Sequence, residues 1–327
     1  MSETLLKIDN LRIGFQLGVG AGVAVRGISL AIRRGEAVGL VGESGSGKSV
    51  TALSVMGLLP RSARVLGGKI QFQGTDLLAL SEQQLRRVRG KEISMIFQDP
   101  LVSLNPVFTI GQQLVDIIRT HQDVDGAAAR ARAIEALSMV GISSPAARLT
   151  AYPHEFSGGM RQRALIAMAI ACRPQLLIAD EPTTALDVTV QAQVVSLLSR
   201  LRSELGLAIL FITHNLDLMA ELCDRVAVMY AGTIVEEASV EDLFTTPLHP
   251  YTTALMRCIP RLSEEAVELE SIEGSPPAIE STLAGCPFQP RCPRAVDICG
   301  RQSPTEQASG GHRVSCWAAG PTCETIA

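Results

Sequence analysis

Val38-Gly-Leu-Val41-Gly42-Glu43-Ser44-Gly45-Ser46-Gly47-Lys48-Ser49-Val50 is the stretch whose reading decides the fold. Val38 to Val41 is a short apolar run of strand length. It leads straight into G-x-x-x-x-G-K-S, and Val50-Thr-Ala-Leu-Ser-Val-Met56 reads as the first turns of a helix. Strand, glycine-rich loop and helix form the context in which this spacing cradles phosphate. The glycines let the backbone curl until successive N–H groups point at one spot. The helix N-terminus adds about half a positive charge there. Lys48 is placed to reach the β- and γ-phosphates, and the Ser49 hydroxyl to bind Mg2+. The plain alternative, a glycine-rich turn before a helix, gives the lysine and the hydroxyl no purpose.

Composition narrows the setting. The chain has 327 residues, 46% hydrophobic but only 4% aromatic, so its core is largely aliphatic, as in parallel α/β sheets. Net charge is −4 with no long basic run, which gives no footprint for nucleic acid. No apolar run approaches the roughly 20 residues of a membrane span. The nearest, Ala164 to Cys172, stops at Arg173. Met1-Ser-Glu-Thr-Leu-Leu-Lys has no basic region before an apolar core, so no signal peptide is expected and a cytosolic location is.

Residues 5 to 34 alternate apolar and polar and are punctuated by glycines, which is antiparallel hairpin material. Phe15 ends one of these strands and is either a core aromatic or a ring that stacks on a nucleotide base. Lys69 to Gly74 reads as strand and turn, Glu82 to Arg89 as a polar helix, and Glu92 to Phe97 as a strand closed by Gln98-Asp-Pro100. From 101 to about 171 the pattern is helical. Ile110, Leu114, Ile117 and Ile118 share one face, and Ile134, Leu137 and Val140 another. Ser157 is a good N-cap for an alanine-rich helix from Met160 to Ala171. Gln175 to Asp180 and Leu207 to Thr213 are buried strands. An amphipathic helix from about Val190 to Leu205 separates them, and a hairpin at 225–236 follows. Near residue 260 the composition turns acidic and then rich in Gly, Pro, Ser and Cys. The expected division is 1–260 and 261–327.

Triphosphate hydrolysis needs a cradle, a metal, a group that orients water, and charge compensation on the γ-phosphoryl. Asp180 ends an apolar strand and would hold Mg2+ together with Ser49 and Gln98. Glu181 is the expected general base. His214 ends a second buried strand and can donate to a γ-phosphate oxygen. Gln98 ends a third and can touch the metal or the attacking water. All of them fall where open α/β sheets bind ligands. Singly, each has a bland reading: a structural histidine, a turn glutamine, a solvated Asp-Glu loop. In this order they make one catalytic set with Lys48.

That order resembles the ATP-binding subunits of ABC transporters over about residues 5–240. Gly42 to Ser49, Gln98, Ser157-Gly158-Gly159-Met160-Arg161-Gln162, Asp180-Glu181, Ala185-Leu186-Asp187 and His214 match the family's Walker A, Q-loop, signature, Walker B, D-loop and H-loop. Met160 stands where Gln is usual, and Asn215 where Asp often follows the histidine. The resemblance implies an α/β P-loop ABC ATPase with a mostly parallel core sheet, an antiparallel β subdomain, a helical subdomain at about 101–171, and a small Cys-rich C-terminal extension. It implies ATP bound by Gly42 to Val50, with Phe15 stacked on adenine. It also implies head-to-tail pairing, so that Ser157 to Gln162 contact the partner's ATP.

Ile96-Phe-Gln-Asp-Pro100, Ser103-Leu-Asn-Pro106, Asp187-Val-Thr-Val-Gln191, His249-Pro-Tyr-Thr252 and Gly285-Cys-Pro-Phe-Gln-Pro-Arg-Cys-Pro293 look like dipeptide/oligopeptide importer subunits. Nickel and glutathione importers share this tail, and the same machinery importing such a solute is the alternative. Non-transport ABC ATPases carry coiled-coil, zinc-hook or tandem-domain insertions that this sequence lacks. The implied partners are a second, related but distinct ATPase subunit, two transmembrane permease subunits and an extracytoplasmic solute-binding protein. The implied location is peripheral, on the cytoplasmic face of the inner (plasma) membrane.

Five of the eight cysteines crowd into the tail: Cys286, Cys292, Cys299, Cys316 and Cys323. A Pro- and Gly-rich segment this short needs a staple. Four thiolates suit a zinc tetrahedron or an iron–sulfur cluster, or remain unmetallated. The paired C-x2-C knuckles of zinc ribbons are missing. The family resemblance implies a [4Fe–4S] cluster on Cys286, Cys292, Cys299 and Cys316, with Cys323 an alternative ligand or a free thiol.

Overall fold

The structure, a computed structural model, describes residues 3–18, 20–98, 103–184, 186–258, 272–281 and 283–319. The expected boundary near 260, Asp99-Pro100, Ala185 and Cys323 lie outside the described residues.

Along the chain, β1 (Thr4–Leu17) and β2 (Gly20–Arg33) precede the short strand β3 (Ala37–Val41). Helix α1 (Lys48–Val55) follows, then β4 (Ala63–Phe72), β5 (Thr75–Asp76), α2 (Glu82–Val88) and β6 (Ile93–Ile96). A helical stretch holds α3 (Ile110–His121), α4 (Gly126–Met139), α5 (Pro145–Arg148) and α6 (Gly158–Ile170). β7 (Leu176–Asp180), α7 (Val188–Leu205), β8 (Ala208–Thr213) and α8 (Asp217–Leu222) then alternate. β9 (Arg225–Tyr230), β10 (Thr233–Ser239), α9 (Val240–Thr245), α10 (Pro250–Arg257) and the small strands β11 (Gln307–Ser309) and β12 (His312–Val314) complete the order.

The chain forms two compact units. One comprises Met1–Leu6, Ala31–Ala37 and Gln71–Thr213. Its strands β6, β7 and β8 are parallel, and every residue in them is buried. Burial on both faces is why these segments read as continuous apolar runs rather than alternating ones. Its helices are punctuated by side-chain caps. Thr109 and Gln112 close a capping box on α3, Asp125 caps α4, and Asp187 caps α7. Each such cap contributes about 1 kcal/mol. In α3 the expected apolar face is buried at Ile110, Leu114 and Ile118. In α4 the expected Leu137 and the Val140 just after it are buried, but the buried line is wider than expected. It runs through Ala129, Ala133, Ala136 and Leu137, with Ile134 only half-buried. Small alanines let α4 approach its neighbours closely, and a pattern that counts only large apolar residues misses them.

The other unit comprises Lys7–Leu30, Val38–Ile70 and His214–Ala327. Here β3 and β9 are parallel neighbours, and β10 pairs antiparallel with β9. The long hairpin β1–β2, with β4 beside β1, makes the antiparallel sheet expected from the alternation at 5–34. The hairpin at 225–236 is not the edge of its sheet. β12 pairs with β10, and β11 with β12. The C-terminal extension thus completes the unit by adding strands. No described helix is long and apolar enough to cross a membrane.

Candidate functional site

The phosphate loop follows β3 without a break. Gly42 is obligatory for a steric reason: a Cβ there would stand 2.0 Å from the Met229 carbonyl oxygen of β9. Gly47 takes a left-handed φ of 103° as it enters α1, a conformation that glycine adopts freely. The Gly232 N–H, from the β9–β10 turn, donates to the Ser46 carbonyl at 2.9 Å, so the adjacent hairpin supports the loop. Lys48 is 5% exposed. Its Nζ donates to the Gly42 carbonyl at 2.7 Å and the Glu43 carbonyl at 2.9 Å. The ammonium therefore lies inside the curl of the loop, where phosphate charge would be met. Ser44 and Gly45 are exposed, and Ser49 and Val50 are half-buried at the helix start. Phe15 is half-buried on β1 in the same unit, and exposed His214 begins the next segment of that unit.

In the other unit, the carboxyl ends of β6 and β7 bring two expected residues together. The Gln98 side-chain amide donates to Glu181 Oε2 at 3.0 Å. The Thr184 hydroxyl donates to the same oxygen at 2.9 Å. Glu181 itself has φ 47°, in the left-handed region that a non-glycine residue occupies only at a cost. Its backbone N–H donates to the Ile212 carbonyl at 2.8 Å. Backbone and carboxylate are both fixed in direction. Asp180 is the last residue of β7 and is 6% exposed.

The signature and the segment after β7 also meet. Ser157 caps α6, its hydroxyl accepting from the Met160 N–H at 3.3 Å. Arg161 Nε donates to the Pro153 carbonyl at 2.8 Å and fixes the approach to the helix. Ser157, Gly158, Gly159, Met160, Leu186 and Asp187 line one open groove of about 450 Å³. The exposed start of α6 is an amide-rich helix terminus facing outward, suited to an anion brought by another molecule. Gln162 is 1% exposed, and its side-chain amide has no hydrogen-bond partner among the described residues.

Two residues that sequence reasoning passed over touch the phosphate loop. The Tyr251 hydroxyl accepts from the Glu43 N–H at 2.9 Å. Arg291 Nη1 lies 2.9 Å from Glu43 Oε2. Both are far from the loop in sequence. Their only signal was their place in His249-Pro-Tyr-Thr252 and in the cysteine-flanked Gly285 to Pro293.

With a phosphate loop, a clamped carboxylate after a parallel strand and a serine-capped glycine helix start, the molecule is a P-loop ATPase of the ABC type. The family model described as ABC transporter matches residues 25–184, and that described as Oligopeptide/dipeptide transporter, C-terminal region, matches residues 235–299. Curated relatives agree along the whole length. A probable peptide ABC transporter ATP-binding protein of Sinorhizobium fredii is 50% identical over 97% of this chain and 95% of its own. The dipeptide transport ATP-binding protein DppD of Bacillus subtilis is 48% identical, covering 96% and 95% of the two chains. Among solved structures, the dimeric post-hydrolysis state of the ATP-binding cassette MJ0796 bound to ADP and Pi superposes with a TM-score of 0.65. It is 26% identical and covers 72% of this chain and 99% of its own. The chain belongs to the ABC transporter family, among the ATP-binding proteins that carry the oligopeptide/dipeptide transporter C-terminal region.

Proposed function

We propose that this chain is the ATP-binding and ATP-hydrolysing subunit that energises import of dipeptides or oligopeptides. The observation that carries the enzymatic half is the Glu181 carboxylate, clamped by Gln98 and Thr184 at the end of a buried parallel strand. Gly42 to Val50 bind the phosphates, with Lys48 neutralising them and Phe15 against the base. Ser49, Asp180 and Gln98 would hold Mg2+, which would neutralise phosphate charge. Glu181 orients or deprotonates the attacking water, and His214 donates to the γ-phosphoryl. Ser157 to Gln162 serve the ATP of a second ATPase subunit, a related but distinct chain, and Ala185-Leu186-Asp187 form the D-loop. The peptide half rests on the C-terminal match at 235–299 and on relatives named for peptide transport. Two transmembrane permeases and an extracytoplasmic solute-binding protein complete the assembly on the cytoplasmic face of the membrane. Purification from native membranes tests this. Two polytopic membrane proteins should accompany the chain. Recovery with nucleic acid or ribosomes instead would sink the reading.

The tail thiols are a candidate cofactor site. Cys286, Cys292, Cys299 and Cys316 are all free of disulfides. Burial pushes the Cys316 thiol up to about 11, and the other three thiols add to the shift. Burial also raises Cys286, with Cys299 and Cys292 adding to it. The Cys286 N–H donates to the Cys299 carbonyl at 2.7 Å, which holds these two residues side by side. Among the described residues no group of three or more His, Cys, Asp or Glu side chains is placed to hold a single metal ion. A zinc tetrahedron requires sulfurs about 3.8 Å apart, as follows from its Zn–S bonds. An all-thiol donor set is the kind a four-iron cluster takes, and these four residues would hold one, which would staple the extension.

A further inference from the structure

The C-terminal extension reaches back to the phosphate loop through one short segment. Phe288 is 1% exposed, with its ring centroid 5.2 Å from that of Tyr230 and 5.3 Å from that of Tyr251. That anchor delivers Arg291, whose side chain is only 6% exposed. The guanidinium is engaged on every side. Nε donates to the Glu273 carbonyl at 2.8 Å, and Nη2 to the Ile272 carbonyl at 3.0 Å. Nη1 donates to the Glu43 carboxylate at 2.9 Å and to the Tyr230 hydroxyl at 3.2 Å. A planar fork held on three nitrogens has little freedom to swing, so it fixes whatever it grips.

What it grips is the first variable residue of the phosphate loop. Glu43 is tied at three points: its N–H to Tyr251, its carbonyl to Lys48, its carboxylate to Arg291. Two of those ties come from outside the loop. The next residues, Ser44 and Gly45, are exposed, and a Cβ added at Gly45 would meet nothing within 4 Å. The crest of the loop is thus open, and at its start Glu43 is held by side chains from outside the loop. A loop ordered beforehand loses less entropy when it binds phosphate.

We propose that Arg291 is a positioning residue for nucleotide binding: through Glu43 it holds the start of the phosphate loop in its phosphate-cradling curl. The inference rests on reading 42–49 as the ATP phosphate site. It makes the extension part of the nucleotide-binding machinery.

The test uses the full-length chain and a double-mutant cycle, with MgATP binding measured by calorimetry and turnover measured in the assembled transporter. Arg291→Met and Glu43→Ala should each weaken MgATP binding about fivefold to tenfold, and for Arg291→Met turnover at saturating ATP should change little. The double variant should bind no more weakly than either single one. Arg291→Lys should fall between wild type and Arg291→Met, because an ammonium keeps the charge but loses the fork. Unchanged affinity in a folded Arg291→Met, or single effects that multiply in the double variant, overturns the proposal. If Arg291→Met does not fold, Glu43→Ala decides, and unchanged affinity there overturns it equally. Lys48→Ala separates the two claims. If it keeps full affinity, the phosphate-site reading fails; if it loses affinity while Arg291→Met does not, only the positioning role fails.

Discussion

Gln98 and Glu181 share a hydrogen bond of 3.0 Å across the ends of two neighbouring parallel strands, β6 and β7. The amide of one loop thereby sets the direction of the carboxylate on the other. Glu181→Gln should lower ATP turnover by at least about a hundredfold, the usual cost of losing a positioned base. ATP binding should survive, and the ATP-bound pairing of the two ATPase subunits should become longer-lived. Turnover and ATP-dependent pairing, measured on the same preparation, check both parts.

Lys48 acts on a different quantity. Its ammonium is buried in the loop against the Gly42 and Glu43 carbonyls. Lys48→Ala removes the positive charge from the cradle, so affinity itself should fall, by about tenfold to a hundredfold for the loss of one charge-assisted contact. Equilibrium binding of MgATP reads this directly, and a change confined to turnover would count against the assignment.

His249 makes stability depend on pH. It is 1% exposed, and its Nδ1 accepts from the Tyr251 N–H at 3.0 Å. Burial pushes its pKa down to about 4 from 6.5. The unfolded chain therefore takes up the proton first, so stability is lost as pH falls from about 6.5 toward about 4. The full loss is on the order of 3 kcal/mol. Denaturation midpoints across that window should fall for wild type and change less for His249→Asn, which keeps a hydrogen-bond acceptor but does not titrate. Equal slopes would show that His249 is not the titrating group.

The cysteine extension predicts a composition. Protein purified without oxygen should contain about four irons and matching acid-labile sulfide, bound by Cys286, Cys292, Cys299 and Cys316. Removing the iron with a chelator should lower the melting temperature of the unit built around β9, β10 and β12. Stoichiometric zinc without sulfide, or no metal at all, would contradict this reading.

The sites were legible where local sequence makes local geometry. Gly42 to Ser49, Ser157 to Met160 and Asp180-Glu181 each form within one strand, turn or helix start, so spacing alone placed them. The buried strands β6, β7 and β8 were legible because burial on both faces leaves a continuous apolar run. The alanine face of α4 was not, because small residues carry weak periodicity. The clamp on Glu43 was hidden for another reason. Tyr251 and Arg291 are separated from it by 208 and 248 residues, and no local pattern reports contacts of that range. β11 and β12 were missed because three-residue strands pair only once β10 offers an edge.

ATP-driven peptide uptake, in proteoliposomes holding this chain with its ATPase partner, permeases and binding protein, tests the central claim most directly. Labelled peptide should accumulate only with MgATP, and accumulation should be lost when this chain carries Glu181→Gln. Peptide accumulation at the wild-type rate with Glu181→Gln would contradict the account.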